Sequence, residues 1–237
     1  MRISLVSAAL ITAFAATAAN ATIATVFNSI PQGVIDFNTT VTNAGGTATA
    51  DTWANLSDGA SLVRPGYTVT KNDASTLFTT TYGSMSGQVV DISPAGSGPG
   101  LGAIGSGITF QFSSAINSFG FEVGDWGTCC QPSALFISFD SGAPIQVGLS
   151  ENSGDVFFND LAEVFVAAFD DSGDFTKIQF WGDGFGEYLV AGGTIRYALL
   201  DQGSLPPTGV PEPASLALLG LGLAGLAASR RRKVVAN

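Results

Sequence analysis

Glu122 and Asp125, three positions apart in FEVGDW, are the residue types a glycoside hydrolase uses as its acid and its nucleophile or base. The stretch 22–209 carries eighteen carboxylates, so close pairs are unavoidable, and the pair alone does not define an enzyme. The chain has no histidine, which removes Ser-His-Asp and Cys-His mechanisms and ordinary zinc sites. No glycine-rich loop opens a helix in the way a phosphate cradle requires. The expectation is therefore a chain that is not an enzyme, with a carboxylate-dependent glycoside hydrolase as the alternative. Asp170, Asp171 and Asp174 share one turn, and Asp183 and Glu187 flank another. Oxygen clusters of this kind can hold a structural calcium, though none follows the twelve-residue calcium-loop pattern. No other cofactor is expected.

Cys129 and Cys130 are the only cysteines, and they are adjacent. Their Cα atoms lie about 3.8 Å apart across a trans peptide, closer than unstrained disulfides prefer. A bond between them would be a strained ring that locks a sharp turn. Reduced or intermolecularly linked thiols are the alternatives. Trp126 and Asp125 precede that turn and could offer a sugar an aromatic face beside a carboxylate. A buried tryptophan is the plainer reading.

The elements that must position these residues are strands. Ile108, Phe110 and Phe112 share one face of ITFQFS, and Phe119, Phe121 and Val123 one face of NSFGFEV. The same period-two pattern recurs at Leu135, Ile137 and Phe139 and at Ile145, Val147 and Leu149. Further strands are expected at GVIDFN, LFTTTY, GQVVDI, EVFVAAF, FTKIQFW and TIRYALL, and no helical periodicity is read between the termini. The fold class is all-β, a two-sheet antiparallel sandwich with jelly-roll order, a barrel being the alternative. The Gly-rich stretch 95–107 reads as a long inter-strand loop. Within 22–209 the eighteen carboxylates face four cations, a net charge of −14. Such a domain repels nucleic acid, so no nucleic-acid partner is expected.

Both ends carry signals. Residues 1–21 have one cation, a short apolar run and an Ala19-Asn20-Ala21 cleavage pattern, which predicts an export signal peptide removed before Thr22. Residues 22–200 are the sandwich, and 201–209 read as a polar linker. Residues 214–229 contain no charge and are rich in Leu, Ala and Gly. As a helix they would be about 24 Å long and would span a membrane, with Arg230, Arg231, Arg232 and Lys233 as the stop-transfer block.

Ahead of that helix stand Val210, Pro211, Glu212 and Pro213, held extended by the two prolines. Motif, apolar helix and basic cluster, in that order over 210–233, resemble the PEP-CTERM sorting signal. The resemblance implies an exosortase partner and a host among Gram-negative bacteria. It implies transient anchoring in the inner membrane, cutting near the motif, and release to the cell surface or an exopolysaccharide matrix, with a role in biofilm. The order FQF, SFGFEVGDW, FTKIQFW also resembles, diffusely, carbohydrate-binding sandwich modules. That resemblance implies polysaccharide as a ligand, with a purely structural role as the other reading.

Overall fold

The structure, a computed structural model, describes residues 23–27, 29–92, 104–105, 107–126, 132–152, 163–183 and 189–205. All of them lie in one unit, Asn20–Thr208. The expected signal peptide (1–21), the expected membrane segment (214–229) and the sorting motif lie outside the described residues.

Thirteen strands and one helix are described. In chain order they are β1 (Ile23–Phe27), α1 (Ile30–Asn43), β2 (Thr49–Thr52), β3 (Ser61–Arg64), β4 (Tyr67–Lys71), β5 (Thr79–Thr81) and β6 (Gln88–Ile92). Then come β7 (Ile108–Ile116), β8 (Ser118–Gly124), β9 (Ser133–Phe139), β10 (Ile145–Ser150), β11 (Val164–Phe169), β12 (Phe175–Asp183) and β13 (Leu189–Ala198). One sheet runs β1-β11-β8-β13-β6-β5, with β2 also on β13, and the other runs β10-β9-β12-β7-β4-β3. Every pairing is antiparallel. Taken alone, β6 to β13 fall into β6-β13-β8-β11 against β7-β12-β9-β10. That is the first-eighth-third-sixth and second-seventh-fourth-fifth order of a jelly roll, so the all-β sandwich expected from the alternation is the fold.

The alternating apolar faces meet between the sheets. Phe110 lies 4.9 Å from Phe119 and 5.7 Å from Phe121, ring centroid to centroid, and Phe121 lies 4.7 Å from Phe180. All four are fully buried. Edge-to-face and tilted contacts of this kind add to the transfer free energy of the rings. At one margin a polar tie crosses between the sheets. The Trp53 indole N–H donates to the Tyr67 hydroxyl (2.7 Å), which donates to Asp51 (2.6 Å), and Arg64 pairs with the same carboxylate.

The GVIDFN strand expected from alternation is instead the middle of α1. Ser29 caps the helix, its Oγ accepting from the Gln32 N–H (3.5 Å), and Pro31 stands in the first turn, where its missing N–H costs nothing. Gly33, Phe37 and Val41, spaced by four, form the buried stripe. Phe37 packs on Phe165 and Phe169 of β11, so the helix covers part of the outer face of the first sheet.

The linker reading also changes. Leu200 and Leu205 are buried in the cluster that holds Phe37, Val41 and Phe169, so 201–205 is part of the sandwich rather than a free stalk. Among the described residues no helix is long and apolar enough to cross a membrane.

Candidate functional site

The structure puts Glu122 on the outer face of the first sheet, where β13 changes partners. β13 pairs with β6 through Leu189–Gly192 and with β2 through Thr194–Tyr197. Gly192 and Gly193 make the break, at φ +145° and +69°. A Cβ on Gly193 would stand 2.3 Å from Glu122 Oε2, so only glycine leaves room for this carboxylate. Glu122 is 1% exposed. It accepts the Ser86 N–H (2.7 Å), the Ser86 hydroxyl and the Thr194 N–H (3.3 Å). The Thr194 hydroxyl continues the network to Ser86 (2.5 Å) and Thr52 (2.8 Å). Arg196 lies on the same face. Burial pulls its guanidinium below the ordinary arginine value, and the charge of Glu122 acts against that pull.

Glu122 is thus fully engaged and closed to a substrate. Asp125 sits at φ +54°, where its carboxylate accepts from the Tyr82 hydroxyl (3.1 Å). Burial, followed by the charge and the bond of Asp125, pushes the Tyr82 phenol up to about 12. The pair read from FEVGDW therefore does not face one substrate. Each carboxylate holds a different part of the 82–88 loop.

Trp126 is not the exposed platform that a sugar contact needs. It is 2% exposed, its indole N–H donates to Ser133 (3.0 Å), and its ring lies so close over Gly148 that a Cβ there would meet it at 2.7 Å. Nor do the three turn aspartates converge. Asp170 closes its own turn by accepting from Ser172 N–H, Ser172 hydroxyl and Gly173 N–H, Asp174 is exposed, and Asp171 is buried. Among the described residues no three of His, Cys, Asp or Glu are grouped to hold a metal. Cys129, Cys130 and Glu187 lie outside the described residues, as do Val210 to Pro213 and Arg230 to Lys233.

What the sequence reading missed is a groove. An open depression of about 350 Å³ lies between 52–55 and 81–88, lined by Thr52, Asn55, Thr81, Tyr82, Met85 and Gln88 among others. One wall is tied down on both sides, because Ser86 is bonded to Glu122 and Gln88 accepts the Leu56 N–H (2.7 Å). Among the described residues its lining has no charged side chain, and Asp125 reaches it through Tyr82. The only local signal was the Thr-, Ser- and Gly-rich stretch 81–88, TYGSMSGQ. A second depression, of about 280 Å³, lies beside Arg64, Tyr67 and Gln111, but Arg64 is already paired with Asp51.

The family described as the PEP-CTERM protein-sorting motif matches residues 209–233, so the chain carries that sorting motif at its C-terminal end. Three solved structures of family 29 carbohydrate-binding modules are similar over almost their whole length. A point mutant shares 13% identity, covering 68% of this chain and 99% of its own, at TM-score 0.36. A second shares 14%, covering 70% and 98%, at 0.35, and another variant 15%, covering 69% and 99%, at 0.37. Likeness at this level carries nothing about a ligand. No curated protein sequence matches the chain.

Proposed function

We propose that this chain is an exported cell-surface protein of a Gram-negative bacterium, sorted by an exosortase through residues 209–233. Its sandwich serves an exopolysaccharide or biofilm matrix, binding polysaccharide in the groove beside Tyr82 or contributing structurally. The sorting motif carries this reading. The leader 1–21 and the apolar segment 214–229 supply the export and transient anchoring such a motif needs. The groove suits an uncharged polyhydroxyl chain better than an anion, since the surrounding domain is strongly acidic. The sandwich acts by binding and not by turnover, because Glu122 has no room for a substrate.

Intact-mass analysis and fractionation in the native host test the sorting. The mature chain should start at Thr22 and lack the basic cluster. Replacing Pro211, Glu212 or Pro213 by Ala should leave it membrane-bound. Release as efficient as the parent's would reduce the motif to a spacer. Retention on the host's own released polysaccharide tests the groove: Tyr82→Ala and Asn55→Ala should weaken it in a folded protein. New reducing ends on incubation with that polysaccharide would revive the hydrolase alternative.

A further inference from the structure

Two of the fully buried polar side chains serve a single purpose, which is to hold the segment through which the chain leaves the sandwich. Asn117, 0% exposed, grips Leu200 from both sides. Its amide donates to the Leu200 carbonyl (2.9 Å) and its oxygen accepts the Leu200 N–H (2.6 Å). Asp171, 1% exposed, accepts the Leu205 N–H at Oδ2 (2.7 Å), and its backbone carbonyl accepts the Gly203 N–H (2.9 Å). Between these grips the Ser204 N–H turns back to the Asp201 carbonyl (3.2 Å), with Gly203 at φ +72°. Leu200 and Leu205 bury their side chains beside Phe37, Val41 and Phe169. Burying two polar groups is favourable only if their bonds are made, so the exit segment is held firmly through Leu205.

Four residues, Pro206 to Gly209, separate Leu205 from Val210. Extended, they span at most about 14 Å. A protease cleft binds several extended residues on either side of the bond it cuts. We propose that Asn117 and Asp171 form a clasp that limits how fast the sorting motif is processed, by denying the processing enzyme the chain upstream of Pro206. The clasp also sets the earliest position at which the chain can be cut. The rate effect rests on the sorting reading above, whereas the clasp itself does not.

Asp171→Asn and Asp171→Ala separate a clasp from general stability. Asp171 Oδ1 has no hydrogen-bond partner, so an asparagine can keep the bond from Leu205 with its oxygen and turn its amide to the Oδ1 side. Hydrogen exchange on the purified full chain should show the Leu200, Gly203 and Leu205 amides protected in the parent and in Asp171→Asn. In Asp171→Ala, Gly203 and Leu205 should exchange about tenfold faster or more. An unprotected Leu205 amide in the parent would overturn the clasp. In a host with the processing enzyme, Asp171→Ala should lose its tail several-fold faster than the parent, and Asp171→Asn at the parent's rate. A flexible Gly/Ser insertion between Leu205 and Pro206, which leaves the clasp intact, should accelerate processing as Asp171→Ala does. Acceleration by Asp171→Ala without acceleration by the insertion would assign the effect to loosened folding and overturn the proposal. If the parent itself kept its tail, the sorting reading would fail, and the exchange measurement would still decide the clasp.

Discussion

The outer face of the first sheet is covered twice, by opposite chemistries. Over β11 the cover is α1, held by Phe37 and Val41 on Phe165 and Phe169. Over β8 and β13 it is the 82–88 loop, held by Glu122 on Ser86 and Thr194. The apolar cover needs only shape and volume, so it tolerates conservative change. The polar cover needs every bond made at once, because a half-satisfied buried network is worse than an apolar one. The difference separates a patch that merely closes the fold from one that fixes the wall of a groove.

Phe37→Ala should cost the most, about 3–5 kcal/mol, because it removes a fully buried ring and leaves a cavity between helix and sheet. Denaturant titration would read it, and a loss under about 1 kcal/mol would mean that the helix cover is not part of the cooperative fold. Glu122→Gln should cost about 2–3 kcal/mol, since its amide group would face donors from Ser86 or Thr194. Glu122→Gln should also loosen the groove wall, whereas Phe37→Ala should leave the groove intact. Equal effects of both on polysaccharide retention would erase the distinction between the two covers.

The polar tie between the sheets gives a smaller, pH-dependent effect. Burial pushes the Asp51 carboxyl up, but the bonds from Arg64 and Tyr67 and the charge of Arg64 outweigh it, so the group ends below the ordinary carboxylate value. A lowered folded value means the contribution is complete above the unfolded value of about 4 and is lost as pH falls through the folded one. The denaturation midpoint of the parent should therefore drop more steeply below about pH 4 than that of Asp51→Asn. The smallest effect belongs to Tyr82. Tyr82→Phe should cost about 1 kcal/mol or less in stability. Ultraviolet titration of the parent should find one phenol ionising near 12, which Tyr82→Phe removes.

Strands β7 to β10 and β12 were legible because each alternates Phe, Ile, Leu or Val with residues of the opposite face, and β11 because it is a continuous apolar run buried on both faces. Helix α1 was not, because Asp36 and Asn38 against Ile35 and Phe37 also read as alternation. Ser29 and the aromatic surface of β11 decide for helix, and the second lies far away in sequence. Glu122 read as a candidate catalytic carboxylate for a related reason. It stands on the outer side of an alternating strand, and nothing local announces that residues 82–88 will fold over it. Trp126 could be read as presented to a sugar or as buried, and the residue that decides for burial, Gly148 under its ring, lies further along the chain. DQGSL looked like a stalk because its polar groups are in view and its partners, Asn117 and Asp171, are not.

The jelly-roll order has a consequence for timing. β1 pairs with β11, and β2 and β6 pair with β13, so three strands of the first half wait for partners from the last third. Contacts of such long sequence separation make folding slow and leave early strands exposed meanwhile. A chain emerging N-terminus first cannot complete this sheet until the residues up to Ala198 have arrived. Assembly is then a single late event, and a nascent chain that stalls before β13 leaves β2 and β6 as open templates for another copy.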